Sequence, residues 1–312
     1  MRIVHDTQFL DPALRGAVAA IGNFDGVHLG HQSVIALTRE ISNEIDAPLG
    51  VMTFEPHPRE AFAPDAPPFR LMNAEAKAHR LEKLGIDILY ELPFTPGLAA
   101  LSPRDFAAKI LHDQLGLAHV VVGEDFRFGK DRAGDVERLG ICGAELGFGV
   151  TTAPLISFGT KEVSSTAIRR ALSEGRPREA AEMLGHWHRI DGEVIHGDQR
   201  GRDLGYPTIN LSIAGLHPPR FGVYAVKLDI LTGPHAGSYD GAASIGVRPT
   251  FGVNTANCET HIFDFKGDLY GEHASVALVD FLREEAKFDS LDALIARMDD
   301  DCARARKILS DV

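Results

Sequence analysis

A doubly wound α/β domain followed by a small antiparallel β domain with a terminal helix is the fold class this sequence predicts. Apolar runs and amphipathic stretches alternate as far as residue 184, the pattern of strand–helix–strand units that build a parallel sheet covered on both faces. Beyond that point short alternating runs separated by turn residues take over, which predicts antiparallel strands and a small barrel. A chain of 312 residues with 44% apolar content is long enough for two such cores at roughly 100–200 residues per domain. The expected domains are therefore residues 1–184 and 185–312.

The first strand is Ala17 to Ile21, and the first helix runs from Gln32 to Ile45 with Val34, Leu37, Ile41 and Ile45 at helical spacing. Between them lies Gly22-Asn23-Phe24-Asp25-Gly26-Val27-His28-Leu29-Gly30-His31. Its glycines let the backbone approach a ligand closely, and the helix start offers unpaired N–H groups and a positive dipole end. Such a turn suits phosphate. His28 and His31, three apart, lie near each other and near the same anion, and each can donate a hydrogen bond to it. A zinc half-site or two surface histidines remain the alternatives for those two residues alone.

Gly50 to Phe54 is the next strand, stopped by Pro56 and Pro58 on either side of His57. Ala61 to Pro68 reads as an irregular loop, Asn73 to Leu84 as a helix and Ile86 to Leu92 as a strand. Ser102-Pro103 opens a helix with a buried stripe of Phe106, Ile110, Leu111 and Leu115, closed by Gly116. His119 to Val122 is a strand that leads into Gly123-Glu124-Asp125-Phe126-Arg127-Phe128-Gly129, readable as a solvated glycine turn. A last strand, roughly Val150 to Phe158, precedes Ser164 and Ser165, either of which caps a short helix bearing Thr166 and Arg169 in or near its first turn. Pro177 opens one more helix through Leu184, and Gly185 closes it.

In the second half the candidate strands are Ile190–His196, Gly222–Leu231, Gly241–Val247, Cys258–Phe265 and Ala274–Leu282. Ser290 caps a final helix whose stripe is Leu291, Leu294, Ile295, Met298, Cys302, Ala305 and Leu309, expected to pack on the barrel. The stretch Gly197 to Asn210 carries Gly197, Arg200, Gly201, Arg202 and Gly205, but no Gly-Lys-Ser/Thr closes it as a Walker A loop would require. On an extended segment Thr208 and Asn210 project to one side. Two hard neutral oxygens, with the phosphates of a ligand supplying charge, suit Mg²⁺.

A formal charge of −12 argues against a nucleic-acid or anionic-membrane surface, which would need clustered Lys and Arg. Cys142, Cys258 and Cys302 are odd in number and far apart, so reduced thiols are expected rather than a disulfide framework. The charged N-terminus does not read as a signal peptide, and no apolar run reaches membrane-spanning length. The expectation is a soluble cytoplasmic protein.

The turn GNFDGVHLGHQ resembles the HxGH signature of class I nucleotidyltransferases, in particular the N-terminal module of bacterial bifunctional riboflavin kinase/FAD synthetases. Four further motifs follow in the order of that family: the FxPHP pattern at Phe54–Pro58, the GEDFRFG turn, the Ser164–Arg169 segment with Val163 in place of isoleucine, and Gly201–Asn210. The last is similar to the kinase signature GRxLGFPTAN, with Tyr206 and Ile209 as departures.

The resemblance implies a Rossmann-like adenylyltransferase joined to a riboflavin kinase, with ATP and Mg²⁺ used, riboflavin and FMN as substrates, and FMN and FAD as products. It implies nucleotide contacts at Gly22, Phe24, Asp25, Gly26, Ser165, Thr166, Arg169, Gly197, Arg200, Gly201, Arg202 and Gly205, with His28 and His31 acting on the phosphates. Flavin contacts are implied at His57, Asp125, Arg127, Arg283 and Phe288. Glu259, in a Glu-x-His context, takes the position of the base, and Thr208 and Asn210 that of the metal ligands. A monofunctional enzyme with one degenerate site, a related adenylyl- or cytidylyltransferase, and a flavin-sensing regulator are the competing readings.

Overall fold

The structure is a computed structural model that describes residues 1–312 apart from 8–9, 155–156, 159–160, 197–205 and 251–252. At residues 157–158, 161–162, 248–250 and 253–255 the backbone alone is described. The chain forms two compact units, Met1–Pro67 with Lys77–Glu162, and Pro68–Ala76 with Val163–Val312.

The first unit alternates strand and helix: β1 (Arg2–Val4), β2 (Val18–Ile21), α1 (Leu29–Glu44), β3 (Leu49–Glu55), α2 (Pro58–Phe62), α3 (Ala74–Lys83, of which the part from Lys77 onward belongs to this unit), β4 (Ile88–Pro93), α4 (Pro96–Ala99), α5 (Pro103–Asp105), β5 (His119–Gly123), α6 (Val136–Leu146) and β6 (Gly149–Ala153). All neighbouring strands pair in parallel, in the order β1-β4-β3-β2-β5-β6. The β2 side chains are all buried, as the unbroken apolar run requires of a strand covered on both faces. Strand order reverses at β2, so the crevice beyond the carboxyl ends of β2 and β5 is the place where such sheets receive ligands.

Several local expectations change. The loop assigned to Ala61–Pro68 begins inside α2, because His57 caps Pro58–Phe62 as a helix. The single strand expected over Val150–Phe158 ends at Ala153, where Pro154 has no N–H for the ladder. Ser157–Phe158 (β7) pairs antiparallel with Lys161–Glu162 (β8) instead. The helix opened by Ser102 continues beyond α5 as a π-helical segment, Phe106–Gln114, with Phe106, Ile110 and Leu111 buried. Helix α6 was not expected, although Asp135 caps it and Gly147 ends it in the left-handed conformation.

The second unit holds α7 (Ser165–Ser173), α8 (Pro177–Leu184), β9 (His188–Glu193), β10 (Thr208–Ser212), β11 (Gly222–Ile230), β12 (Gly237–Thr250), β13 (Val253–Ile262), β14 (His273–Arg283) and α9 (Leu291–Leu309). Its six strands are antiparallel, in the order β10-β13-β12-β11-β14-β9. The Ile195 amide donates to the Asn210 carbonyl at 3.0 Å and links the two outer ends of the sheet, the barrel-like closure that the short strands predict. The interior is filled by residues such as Ile190, Ile209, Leu211, Val226, Ile245 and Val276.

Helix α9 covers part of the outer face through Ala305 and Leu309 against Ala225 and Val279. Its expected stripe holds only in the C-terminal half: Leu291 is 55% exposed, while Asp301 is buried. Helices α7 and α8 form a smaller cluster in which Ile168, Ala171, Leu172, Ala180 and Met183 pack with Leu71.

Candidate active sites

In the first unit, three of the motif segments leave neighbouring strands at the same edge of the sheet: Gly22–His28 after β2, Pro56-His57 after β3, and Gly123–Arg127 after β5. The turn after β2 is conformationally demanding. Phe24 has φ +50°, Gly26 +88° and Val27 +42°, and a β-branched residue in the left-handed region costs roughly 1–3 kcal/mol. Phe24 and Val27 are almost wholly buried, so packing holds them there. Gly22 fits closely under Phe24, whose ring would lie 3.3 Å from a Cβ at that position.

His28 occupies the N-cap of α1, its Nδ1 accepting from the His31 amide at 3.3 Å. An acceptor Nδ1 leaves the ring proton of a neutral His28 on Nε2. The two imidazoles stack, with ring centroids 3.7 Å apart and planes at 15°. Burial, and secondarily the adjacent His28, hold the pKa of His31 well below the usual histidine value. His31 is therefore neutral, with a single N–H to offer, and its Nδ1 is buried without a hydrogen-bond partner. The in-plane lone pairs of stacked rings run side by side rather than converging on a metal, and no cluster of three or more His, Cys, Asp and Glu exists among the described residues. This geometry disfavours the zinc half-site.

Beneath the turn lies a buried chain that the sequence did not single out. The Lys77 ammonium, 2% exposed, donates to the Thr53 hydroxyl at 3.2 Å and lies 3.7 Å from the Glu55 carboxylate. Thr53, fully buried in β3, donates in turn to the Asn23 carbonyl at 3.2 Å. Neither residue type is unusual in its element, so no signal in the sequence marked the pair.

His57 is the N-cap of α2: its Nδ1 accepts from the Arg59 amide at 3.1 Å, and its own amide donates to Glu60 at 3.1 Å. Asp125 and Arg127 are exposed, with the Arg127 guanidinium 3.6 Å from Asp135. In the second unit, Ser164 caps α7 by accepting from the Ala167 amide at 3.2 Å, which leaves Ser165 and Thr166 in the first turn. Arg169 lies over the Phe69 ring and donates through Nε to the Phe69 carbonyl at 2.6 Å.

The second constellation is built by β10 and β13. Asn210 sits opposite Glu259 in the ladder, and the Thr208 hydroxyl donates to the Glu259 carboxylate at 2.8 Å. Asn257 donates to the Asn210 side-chain oxygen at 2.9 Å and fixes its orientation. Ile209 points into the barrel core, away from Thr208 and Asn210, as strand alternation demands. A cavity of about 270 Å³ opens beside them, lined by Thr208, Asn210, Phe265, Asp268 and Tyr270. The Thr208 and Asn210 oxygens are the neutral hard donors Mg²⁺ accepts, so these residues fit the metal.

Arg283 grips the buried Asp301 of α9 at 2.8 and 2.7 Å and lies over the Phe288 ring at 5.7 Å. Gly197, Arg200, Gly201, Arg202 and Gly205 lie outside the described residues.

Comparison with known proteins divides the chain in the same sense. A FAD synthetase family model matches residues 10–167 and a riboflavin kinase family model residues 184–309. The bifunctional riboflavin kinase/FMN adenylyltransferase of Pseudomonas fluorescens is 42% identical over 309 residues, covering 99% of this chain and 98% of that protein. Its counterpart in Escherichia coli K12 is 39% identical over 94% of this chain and 92% of its own length. That of Bacillus subtilis is 34% identical over 100% and 98%.

A crystal structure from Streptococcus pneumoniae, described as a macrolide-efflux protein, aligns with a TM-score of 0.81 at 32% identity over 96% of each chain. Among the described residues here, no helix is long and apolar enough to cross a membrane.

Proposed function

We propose a division of labour between the two halves from the premise that this chain belongs to the family of bifunctional riboflavin kinase/FMN adenylyltransferases. It is an enzyme that uses ATP to phosphorylate riboflavin to FMN and to adenylylate FMN to FAD. Residues 1–184 carry the adenylylation and residues 185–312 the phosphorylation, a boundary in keeping with family matches that end at residue 167 and begin at residue 184.

In adenylylation, an FMN phosphate oxygen attacks the α-phosphorus of ATP, the bond to the β-phosphate oxygen breaks, and pyrophosphate leaves. Gly22, Phe24, Asp25 and Gly26 shape the phosphate-binding turn. His28 through Nε2–H, and neutral His31 through its one N–H, stabilise the charge that develops on the phosphates. Ser165, Thr166 and Arg169 contact nucleotide phosphate as well, supported by their place at a capped helix N-terminus. His57, Asp125 and Arg127 are assigned to the flavin.

In phosphorylation, Glu259 takes the proton of riboflavin's terminal hydroxyl, whose oxygen attacks the γ-phosphorus of ATP as ADP leaves. The single observation that carries this half is the Thr208–Glu259 hydrogen bond beside Asn210. A hydroxyl donated to a carboxylate favours its ionised form, which a base requires. Thr208 and Asn210 would hold Mg²⁺, which when bound neutralises phosphate charge. Gly197, Arg200, Gly201, Arg202 and Gly205 are assigned to the ATP phosphates, and Arg283 and Phe288 to the flavin. Free thiols at Cys142, Cys258 and Cys302, together with the use of ATP, support a cytoplasmic location.

Product analysis with riboflavin, ATP and Mg²⁺ tests the division. Wild type should accumulate FAD. His28→Ala and His31→Ala should stop at FMN, and Glu259→Ala should form FAD only when FMN is supplied. Equal loss of both activities in any one of these variants rejects the assignment.

A further inference from the structure

We propose that Lys77 and Thr53 are positioning residues for adenylyl transfer: the Lys77–Thr53–Asn23 chain holds the phosphate-binding turn in its ligand-ready shape. The proposal rests on the reading of that turn as the ATP phosphate site. The Thr53 hydroxyl has one proton and two lone pairs. It receives from the Lys77 ammonium at 3.2 Å and gives its proton to the Asn23 carbonyl at 3.2 Å. Lys77 thereby dictates which way that hydroxyl points.

The turn needs such a restraint. Two non-glycine residues of the turn, Phe24 directly after Asn23 and Val27 three residues further on, sit at positive φ, conformations that persist only where the surroundings over-determine them. Relaxation of Phe24 or Val27 would turn the peptide groups of the loop away from a bound anion. Burial strengthens the restraint, since Thr53 is fully buried, Lys77 is 2% exposed, and hydrogen bonds shielded from water are electrostatically stronger. A buried ammonium is costly to desolvate, and Glu55 at 3.7 Å offsets that cost. The ammonium also places positive charge behind a turn built to receive a polyanion. Neither Lys77 nor Thr53 touches substrate in this scheme. Each acts through the backbone of Asn23.

The test measures steady-state adenylylation of FMN, with ATP varied, for Thr53→Val, Thr53→Ser, Lys77→Met and His28→Ala in the full-length enzyme. Riboflavin phosphorylation by the same molecules reports whether the second half remains folded. Thr53→Val and Lys77→Met should raise the KM for ATP at least fivefold in adenylylation and leave phosphorylation unchanged, whereas Thr53→Ser, which keeps the hydroxyl, should stay within twofold of wild type. A lower folded fraction reduces kcat without moving KM, so the KM shift separates positioning from a structural role. If Lys77→Met does not fold, the Thr53 pair decides alone. A KM within twofold of wild type in Thr53→Val, or Thr53→Ser behaving like Thr53→Val, overturns the proposal. Should His28→Ala adenylylate at the wild-type rate, the reading of the turn itself fails and the proposal falls with it. His28→Ala inactive beside an unchanged KM in Thr53→Val rejects the positioning role alone.

Discussion

At the scale of single residues, the groups assigned to the chemistry are each held by close neighbours. His28 has its tautomer fixed by the His31 amide, and His31 is kept neutral by burial and by the ring stacked on it. Glu259 accepts a hydrogen bond from the Thr208 hydroxyl at 2.8 Å. Glu259→Gln retains the shape and a hydrogen bond to Thr208 but removes the basic oxygen. Riboflavin phosphorylation should therefore fall roughly 10²–10⁴-fold, the usual worth of a general base, while adenylylation of supplied FMN keeps its rate; both are read from the same incubation by chromatography. The histidines and Glu259 were legible in the sequence because they sit inside motifs. Lys77 and Thr53 were not, since a lysine in a helix and a threonine in a strand announce nothing until packing places them 3.2 Å apart.

At the scale of elements, capping residues decide where helices begin, and a capping side chain must be distinguished from a ligand-binding one. Ser164 and Ser165 are adjacent, and the sequence left open which of them caps α7. The structure gives the cap to Ser164, which accepts from the Ala167 amide at 3.2 Å. Ser164→Ala should accordingly cost about 1 kcal/mol, seen as a lower denaturant midpoint of the second unit, with riboflavin phosphorylation per folded molecule unaltered. Legibility also differed among elements. Strands β2, β3 and β5 were readable as short apolar runs, and α8 from its Pro177 and Gly185 boundaries. The π-helical bonding of Phe106–Gln114 leaves no sequence mark, because Phe106, Ile110 and Leu111 are spaced as they would be in an α-helix. Helix α6 does carry marks in the sequence, Asp135 before it and Gly147 after it, but it lies between two strands with stronger apolar signals.

At the scale of the molecule, the change of texture near residue 185 precedes the six-stranded antiparallel sheet, whose first strand is β9 (His188–Glu193). It is silent on packing partners, which is why the grouping of α7 and α8 with Leu71 could not be read from sequence order. The second unit also carries a pH dependence of its own. His188 in β9 is 2% exposed, and its pKa is lowered to about 3, first by burial and then by His186 and His217, with Asp191 opposing. Folded His188 is thus neutral across the range in which an unfolded histidine, with a pKa of about 6.5, takes up a proton. Below that value the unfolded state binds more protons, so the stability supplied by a neutral His188 is complete above about pH 6.5 and is lost progressively toward pH 3, at up to roughly 1.4 kcal/mol per pH unit. Trp187, the only tryptophan in the chain, neighbours His188 and packs against the α9 cluster, so its fluorescence follows this unit selectively. Urea unfolding read by Trp187 should show wild-type stability falling between pH 6 and pH 4 more steeply than in His188→Gln, by about 1.4 kcal/mol per unit. Parallel pH profiles for the two proteins would remove His188 as the source.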